Sequence, residues 1–392
     1  MDYSRFISKN VAGIPPSGIR KFFDVVSTTK GAISLGVGEP DFVTPWNIRD
    51  AAIKSIQKGL TQYTSNWGLP ELRVEIADYL KHRYGINVSA KDGLFVTIGA
   101  SEAIDVAIRA LVEPGDEVLI PDPSYVSYSP CVTICGGEAV AVPCPEHDNF
   151  VLTVAELEKC CSAKTKVLIL PYPNNPTGAT MSREQLRAVA DFCIAHDLLV
   201  ITDEIYSELV YDVEYTSIAS FPDMQERTIY VSGFSKSFAM TGWRIGYVGG
   251  PAEIISAMVK IHQYCIMCAP VFSQHAALAA LRQGKEDDFA TVAEMREQYN
   301  RRRLFIVNSL REIGMDCFMP TGAFYAFPSV KKFNMTGEEF ADRLLESKKV
   351  AVVPGSAFGE SGNYNVRCSY AYSLKNLQTA LERISQFVEE LK

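Results

Sequence analysis

The chain has 392 residues, 47% of them hydrophobic and 21% charged, with a formal net charge of -8 and a pI of about 5.3. This composition excludes disordered, collagen-like and fibrous classes, and predicts roughly two or three domains whose core needs neither disulfide nor metal. The acidic balance argues against a nucleic-acid partner, which demands a basic stripe, and five histidines without a His-x-x-x-His pair give no reason to expect a metal.

In chain order, Met1–Phe6 lacks the basic-then-apolar pattern of a signal peptide, and no apolar run is long enough for a membrane helix. The first 45 residues, with Pro15-Pro16 and Pro40, are too short for a domain of their own and are expected to pack on a small C-terminal one. From about residue 93 to 250, short apolar runs alternate with helical patterns. Leu94–Ile98 reads as a buried strand that breaks at Gly99, followed by a helix over Ser101–Val112. Strands follow at Val118–Ile120, Ala139–Val142, Val167–Leu170, Leu199–Thr202, Ile229–Val231 and Gly246–Val248. Unbroken apolar strands spaced by helices predict an α/β fold, a mostly parallel sheet with helices on both faces. Capping boxes at Thr153-x-x-Glu156, Ser182-x-x-Gln185 and Thr336-x-x-Glu339 mark helix starts.

Residues 271–312 read as a long helical stretch interrupted near Gly284. After it the pattern shortens to Gly322–Phe327, Phe340–Ser347, Val350–Val353, Val366–Ser369 and Asn376–Leu391, a smaller α+β domain. The expected division is a large domain over 46–285 and a small one made of 1–45 with 286–392. Ten scattered cysteines, two of them adjacent at Cys160 and Cys161, read as reduced thiols of a cytoplasmic protein. The lone Cys265-x-x-Cys268 has no second pair and is expected to be plain packing.

Ligands bind open α/β sheets outside the carboxyl ends of the strands. Here those ends carry Gly99-Ala100-Ser101, Asn175-Pro176-Thr177-Gly178, Asp203-Glu204-Ile205-Tyr206 and Ser232-Gly233-Phe234-Ser235-Lys236, with Gly242-Trp243-Arg244 beyond. Each has an ordinary reading beside a functional one. Gly99 is either a plain strand-to-helix turn or the start of an anion seat at a helix N-terminus. Lys236 is either a surface lysine or a desolvated amine able to attack a carbonyl. Asp203 suits a helix N-cap, Asn175 a turn, Tyr206 a core, and Arg244 any acidic neighbour. Such ordinary readings rarely all coincide at one sheet edge, and a single ligand can use an amide, a carboxylate, a phenol, a lysine and a glycine turn together. No G-x-x-x-x-G-K-[ST] occurs, and Gly36-Val37-Gly38 lacks the third glycine of a dinucleotide fingerprint.

The block Gly233-Phe234-Ser235-Lys236 through Met240, Gly242, Arg244 and Gly246 resembles the lysine signature of class I/II aminotransferases, the fold-type-I pyridoxal-5'-phosphate enzymes of the aspartate/aromatic aminotransferase kind. Asn175–Gly178, Asp203–Tyr206, Gly36-Val37-Gly38-Glu39-Pro40-Asp41-Phe42 and Arg367-Cys368-Ser369-Tyr370-Ala371 are similar to further blocks of that family, and the likeness runs over about residues 14–390. The resemblance implies a ping-pong transaminase that passes the amino group of an α-amino acid to a 2-oxo acid such as 2-oxoglutarate. Lys236 would carry the cofactor as a Schiff base and move the proton. Asp203 would pair with the pyridine nitrogen, and Asn175 and Tyr206 with the ring's phenolate oxygen. Arg244, Ser235 and the amides of Ala100 and Ser101 would hold the phosphate, and Tyr125 would stack on the ring. Gly38, Asn175 and Arg367 would take the substrate carboxylate. Tyr63 would reach the phosphate of the partner in a homodimer with shared active sites.

One departure concerns the position three residues before the lysine, where some relatives carry a phosphate-binding serine and this chain has Gly233; Ser235 is favoured over Ser232 in its place. The same scaffold serves C–S β-lyases, decarboxylases and aminocyclopropane synthases, which share the cofactor residues. It also serves non-catalytic sensors that carry an added basic DNA-binding domain, for which the N-terminal segment is too short and the pI too low. The Gly36–Phe42 start and Thr241-Gly242-Trp243-Arg244 favour transamination. Ile14, Ile19, Phe22, Phe23 and the 264–272 segment are candidates for the pocket mouth. No second arginine stands in a recognisable motif dedicated to a distal carboxylate, though Arg20 in Ser17-Gly18-Ile19-Arg20 could approach one, so aromatic or aliphatic donors are expected to compete well with aspartate.

Overall fold

The computed structural model describes residues 1–16, 18–19 and 31–391. Arg20, Phe22 and Phe23 lie outside the described residues. The first strand, β1 (Ile33–Ser34), is short and stands apart from the main sheet. That sheet has seven strands: β2 (Leu94–Thr97), β3 (Glu117–Asp122), β4 (Glu138–Pro143), β5 (Thr165–Leu170), β6 (Leu199–Asp203), β7 (Thr228–Gly233) and β8 (Gly246–Gly249), in the spatial order β2-β8-β7-β6-β5-β3-β4. β3 runs parallel to β4 and β5, β5 to β6, and β6 to β7, whereas β8 is antiparallel to both neighbours.

Alternate residues of each strand serve opposite faces. Phe95, Val167, Ile169, Ile201 and Val231 pack under the helices Gly99–Leu111, Tyr128–Ile134 and Ala252–Cys265. On the other face Leu168, Leu170 and Val200 meet the helix Arg183–Ala195, while Leu94, Val96 and Tyr230 meet Pro70–Tyr84 and Val271–Glu286. Strands covered on both sides have no polar face to spare, which is why they read as continuous apolar runs.

Beyond the sheet, β9 (Tyr325–Ala326), β10 (Val350–Ala351), β11 (Val353–Pro354) and β12 (Val366–Ser369) form two small sheets. One has the antiparallel order β11-β12-β9, and in the other β1 pairs in parallel with β10. The helices Ala290–Ile313, Gly337–Lys348 and Leu374–Glu390 bury Ile306, Leu344 and Leu377 against this group.

Several boundaries differ from expectation. The helix begins at Gly99 rather than Ser101, because Gly99 itself takes the left-handed φ of 73° that turns strand into helix. The 271–312 stretch is two helices, Val271–Glu286 and Ala290–Ile313; between them Asp288 and Phe289 adopt φ of 51° and 56°, and Phe289 packs against Gly284. Gly322–Phe327 contributes only the two residues of β9, and 350–353 splits into β10 and β11. Helices Trp46–Gln57 and Pro70–Tyr84 escaped the sequence reading. At Ser182 and Thr336 both halves of the capping box form, and at Thr153 only the bond from the Glu156 amide. All ten cysteines are free, but Cys265, expected in packing, is exposed at the end of its helix. The N-terminal residues divide: Ile33–Ser34 join β10, while Asn10 donates to the Ile134 carbonyl over the main sheet.

Candidate active site

The co-directional strands β2, β3, β5, β6 and β7 deliver polar groups to one edge, and β8 delivers another because it runs the other way. Its first residue, Gly246, stands opposite both Gly233 and Thr97, so Arg244 emerges where β2 and β7 end. A Cβ on Gly99 would fall 2.6 Å from Arg244 Nη2, which places the guanidinium directly over the helix start. The free amides of that first turn and the arginine together make a seat for an anion.

Gly38, Ala100, Ser101, Tyr125, Asn175, Asp203, Tyr206, Ser235, Lys236, Arg244 and Arg367 all line a single cavity of about 770 Å³. Ser235 lines it as well, whereas Ser232 donates to the Glu204 carbonyl at 3.2 Å and does not. Ile19 reaches the cavity; Ile14 and the 264–272 segment are not among its lining residues. Tyr63 stands apart from it, 81% exposed.

Lys236 Nζ donates to the Gly38 carbonyl at 2.5 Å and lies 5.8 Å and 5.6 Å from the ring centroids of Tyr206 and Phe324. Burial pulls its ammonium down to about 8; the Arg367 and Arg244 cations push the same way, while Glu39 and Asp203 push back. Asp203 is 7% exposed. Burial raises its carboxyl, opposed by hydrogen bonds from Tyr128 Oη at 2.7 Å and the Ile205 amide at 3.3 Å and by the Lys236 charge. A cation held against this carboxylate would relieve its desolvation.

Arg367 is 2% exposed and carries the opposite problem. Nη1 donates to Asn175 Oδ1 at 2.8 Å and Nη2 to the Gly36 carbonyl at 2.5 Å, while Nε is buried without a partner. Its guanidinium lies 4.5 Å over the Tyr325 ring and 4.8 Å over that of Phe358. Among the described residues no carboxylate forms an ion pair with it. A buried guanidinium lacking a counter-charge is a receptor for a carboxylate ligand.

The lining residues to which the sequence reading gave no role include Tyr128, Glu39 and Tyr325. Tyr128, which fixes Asp203, is three positions from the singled-out Tyr125. Glu39, which accepts from Thr241 Oγ1 at 3.1 Å, lies inside the quoted N-terminal block. Tyr325, 2.7 Å from the Tyr206 hydroxyl, belongs to a segment read only as strand. Behind the edge, Glu204 is also buried, bonded by Ser217 Oγ at 2.6 Å, Thr202 Oγ1 at 2.9 Å and Tyr215 Oη, and burial pushes its carboxyl up to about 7.

The chain is similar to known proteins over nearly its whole length. A family described as aminotransferase class I and II matches residues 30–384. An aspartate aminotransferase of Pyrococcus abyssi is 46% identical over 97% of this chain and 97% of its own length. An aromatic-amino-acid aminotransferase of Thermococcus litoralis is 43% identical over 98% of this chain and 99% of its own. The crystal structure of an aromatic aminotransferase from Pyrococcus horikoshii superposes with a TM-score of 0.90 at 45% identity, covering 94% of this chain and 99% of that one.

Proposed function

The chain belongs to the class I and II aminotransferase family, and from that premise we propose that it transfers amino groups with pyridoxal phosphate carried on Lys236. It is an amino-acid aminotransferase with the α/β fold of its relatives. The observation that carries the cofactor reading is the convergence in one cavity of a desolvated amine pulled down to about 8, a buried carboxylate, an arginine-capped helix start, and a separate, buried arginine without a counter-charge.

The donor set fits the group. Arg244, Ser235 and the first turn at Gly99–Ser101 would hold its phosphate, Asp203 its ring cation, Asn175 and Tyr206 its ring oxygen, and Tyr125 its face. When bound, the cofactor supplies an electron sink for the substrate's Cα–H bond. The rest falls to this chain's side chains. Arg367 and the Gly38 amide would orient the substrate carboxylate, and with it the Cα–H bond to be broken. Lys236 Nζ takes up and returns the proton, a task suited to an amine poised near neutrality. Tyr128 keeps Asp203 in place by its hydrogen bond.

Lysine, Arg244 and Arg367 are the cations among the described residues that line the cavity, and each has a role in this scheme. The 43% identical aromatic-amino-acid aminotransferase of Thermococcus litoralis supports aromatic or aliphatic donors, with glutamate and 2-oxoglutarate as the exchange pair. A panel of amino donors against 2-oxoglutarate and pyruvate tests this, with transfer from phenylalanine, tyrosine or leucine expected and strict aspartate specificity contradicting it. The relatives' names support transamination over lyase, decarboxylase, synthase or sensor roles.

A two-fold homodimer is part of the proposal. The 60–66 and 263–274 segments are tied by Asn66 Nδ2 to Gln263 Oε1 at 3.2 Å and Gln274 Nε2 to Thr64 Oγ1 at 3.0 Å, and on them Tyr63, Tyr264, Met267 and Phe272 are exposed. Such a surface is expected at a protein interface, where Tyr63 would meet the partner's phosphate seat. Cytoplasmic residence is proposed from the ten free thiols; among the described residues no helix is long and apolar enough to cross a membrane.

A further inference from the structure

Tyr325 touches more of the cavity's working parts than any assigned role explains. It is 1% exposed on β9, whose pairing with β12 sets Tyr325 opposite Ser369. Arg367, two residues along β12, is therefore its diagonal neighbour on the same face. This is why the guanidinium stacks at 4.5 Å on the ring. The hydroxyl points the other way, 2.7 Å from that of Tyr206, and a Cβ on Gly38 would overlap it. One side chain thus contacts the carboxylate receptor, the backbone that accepts from Lys236, and the phenol assigned to the ring oxygen.

A phenol has one proton. If Tyr206 is to donate to a ligand oxygen, its own oxygen is left to accept, and Tyr325 stands within reach to donate. Burial raises the pKa of both groups, so both keep their protons through neutral pH. We propose that Tyr325 is a positioning residue of the transamination site: its hydroxyl donates to Tyr206 and so directs the Tyr206 proton at the cofactor's ring oxygen, while its ring seats the Arg367 fork. The inference rests on the function proposed above.

Two variants separate the two contacts. Tyr325→Phe keeps the ring and loses the hydroxyl; Tyr325→Leu loses both. The readouts on holoenzyme are the pH midpoint of the cofactor's visible absorption band and the KM and kcat of a good donor. Loss of the Tyr325 bond weakens the Tyr206 donation, which leaves the ring oxygen more basic and the midpoint higher. Tyr325→Phe is expected to raise it by roughly 0.4–1 unit, the worth of one hydrogen bond, with KM within about twofold of wild type. Tyr325→Leu is expected to show that shift and in addition a KM raised roughly 5- to 30-fold, from the lost stacking under a desolvated guanidinium. In a Tyr206→Phe background the Tyr325→Phe shift should vanish. An unmoved midpoint in Tyr325→Phe, or an equal shift with Tyr206 already removed, would overturn the inference. A wild-type protein that neither shows the band nor transfers amino groups would instead overturn the function beneath it.

Discussion

Removing the Arg367 fork is the perturbation whose cost follows most directly from the structure. The side chain is 2% exposed, its two terminal nitrogens are spent on Asn175 Oδ1 and the Gly36 carbonyl, and no acidic residue among those described pairs with it. A substrate carboxylate would complete that charge pair at a buried guanidinium. Truncating one partner of a buried, hydrogen-bonded pair costs about 2–5 kcal/mol, or roughly 30- to 5,000-fold in kcat/KM. Arg367→Ala should lose that much with amino acid donors while keeping the cofactor and its visible band, because the phosphate seat at Gly99 and Arg244 is untouched. Arg367→Lys should recover only part, since an ammonium cannot bond both carboxylate oxygens and Asn175 in the geometry of a planar fork. Steady-state kinetics with phenylalanine give the size of the loss, and phenethylamine, which lacks the carboxylate, serves as the internal control. The variant should lose its preference for the amino acid over the amine. Near-wild-type kcat/KM in Arg367→Ala, or an equal loss with both donors, would refute the carboxylate assignment.

An amine pulled to about 8 is roughly 9% neutral at pH 7, against roughly 0.03% at its ordinary value. Recombination of cofactor-free enzyme with pyridoxal phosphate should therefore speed up about tenfold per unit at low pH and level off above 8; a rate still climbing at pH 9.5 contradicts the burial argument. Glu204 titrates at about 7 folded and near 4.5 unfolded, so between those values the unfolded chain has released a proton that the folded one keeps, and stability falls as pH rises through that window. The loss is roughly 3 kcal/mol at most. Urea midpoints at pH 5 and pH 8 should show a drop in wild type that Glu204→Gln lacks, and equal pH slopes would reject it. For the shared site, inactive Lys236→Ala and Tyr63→Phe chains are mixed to give hybrids holding one site free of both changes. Confirmed hybrids without restored activity would dismiss Tyr63 as a cross-subunit residue.

Contiguity decided what the sequence disclosed. Asn175, Asp203 and Lys236 each follow an unbroken apolar run, so strand and polar tip could be read together, and the structure gathers them at one cavity. Arg244 was legible as a residue but not in its delivery. Gly246–Val248 carries no mark of direction, and only the antiparallel pairing of β8 brings the arginine back to the helix start. Tyr128 and Tyr325 were out of reach for a different reason. Their partners Asp203 and Tyr206 are 75 and 119 residues away, and their own neighbourhoods look like any packed aromatic segment. The helices Trp46–Gln57 and Pro70–Tyr84 were lost in polar surroundings; in the second, Glu71, Arg73, Glu75, Asp78, Lys81 and His82 outnumber the buried Leu72, Ile76, Tyr79 and Leu80 that hold it to the sheet. The two-residue error at this helix start shows the limit of boundary reading, since the glycine that stops a strand also starts the helix.

The claim on which everything else depends is that Lys236 is the residue that carries the cofactor. Borohydride reduction of the purified holoenzyme followed by peptide mass spectrometry tests it in one step. The account predicts one pyridoxyl-phosphate addition per chain, on the peptide containing Lys236, and none after Lys236→Ala. A stable addition on any other lysine, with Lys236 unmodified, would contradict it.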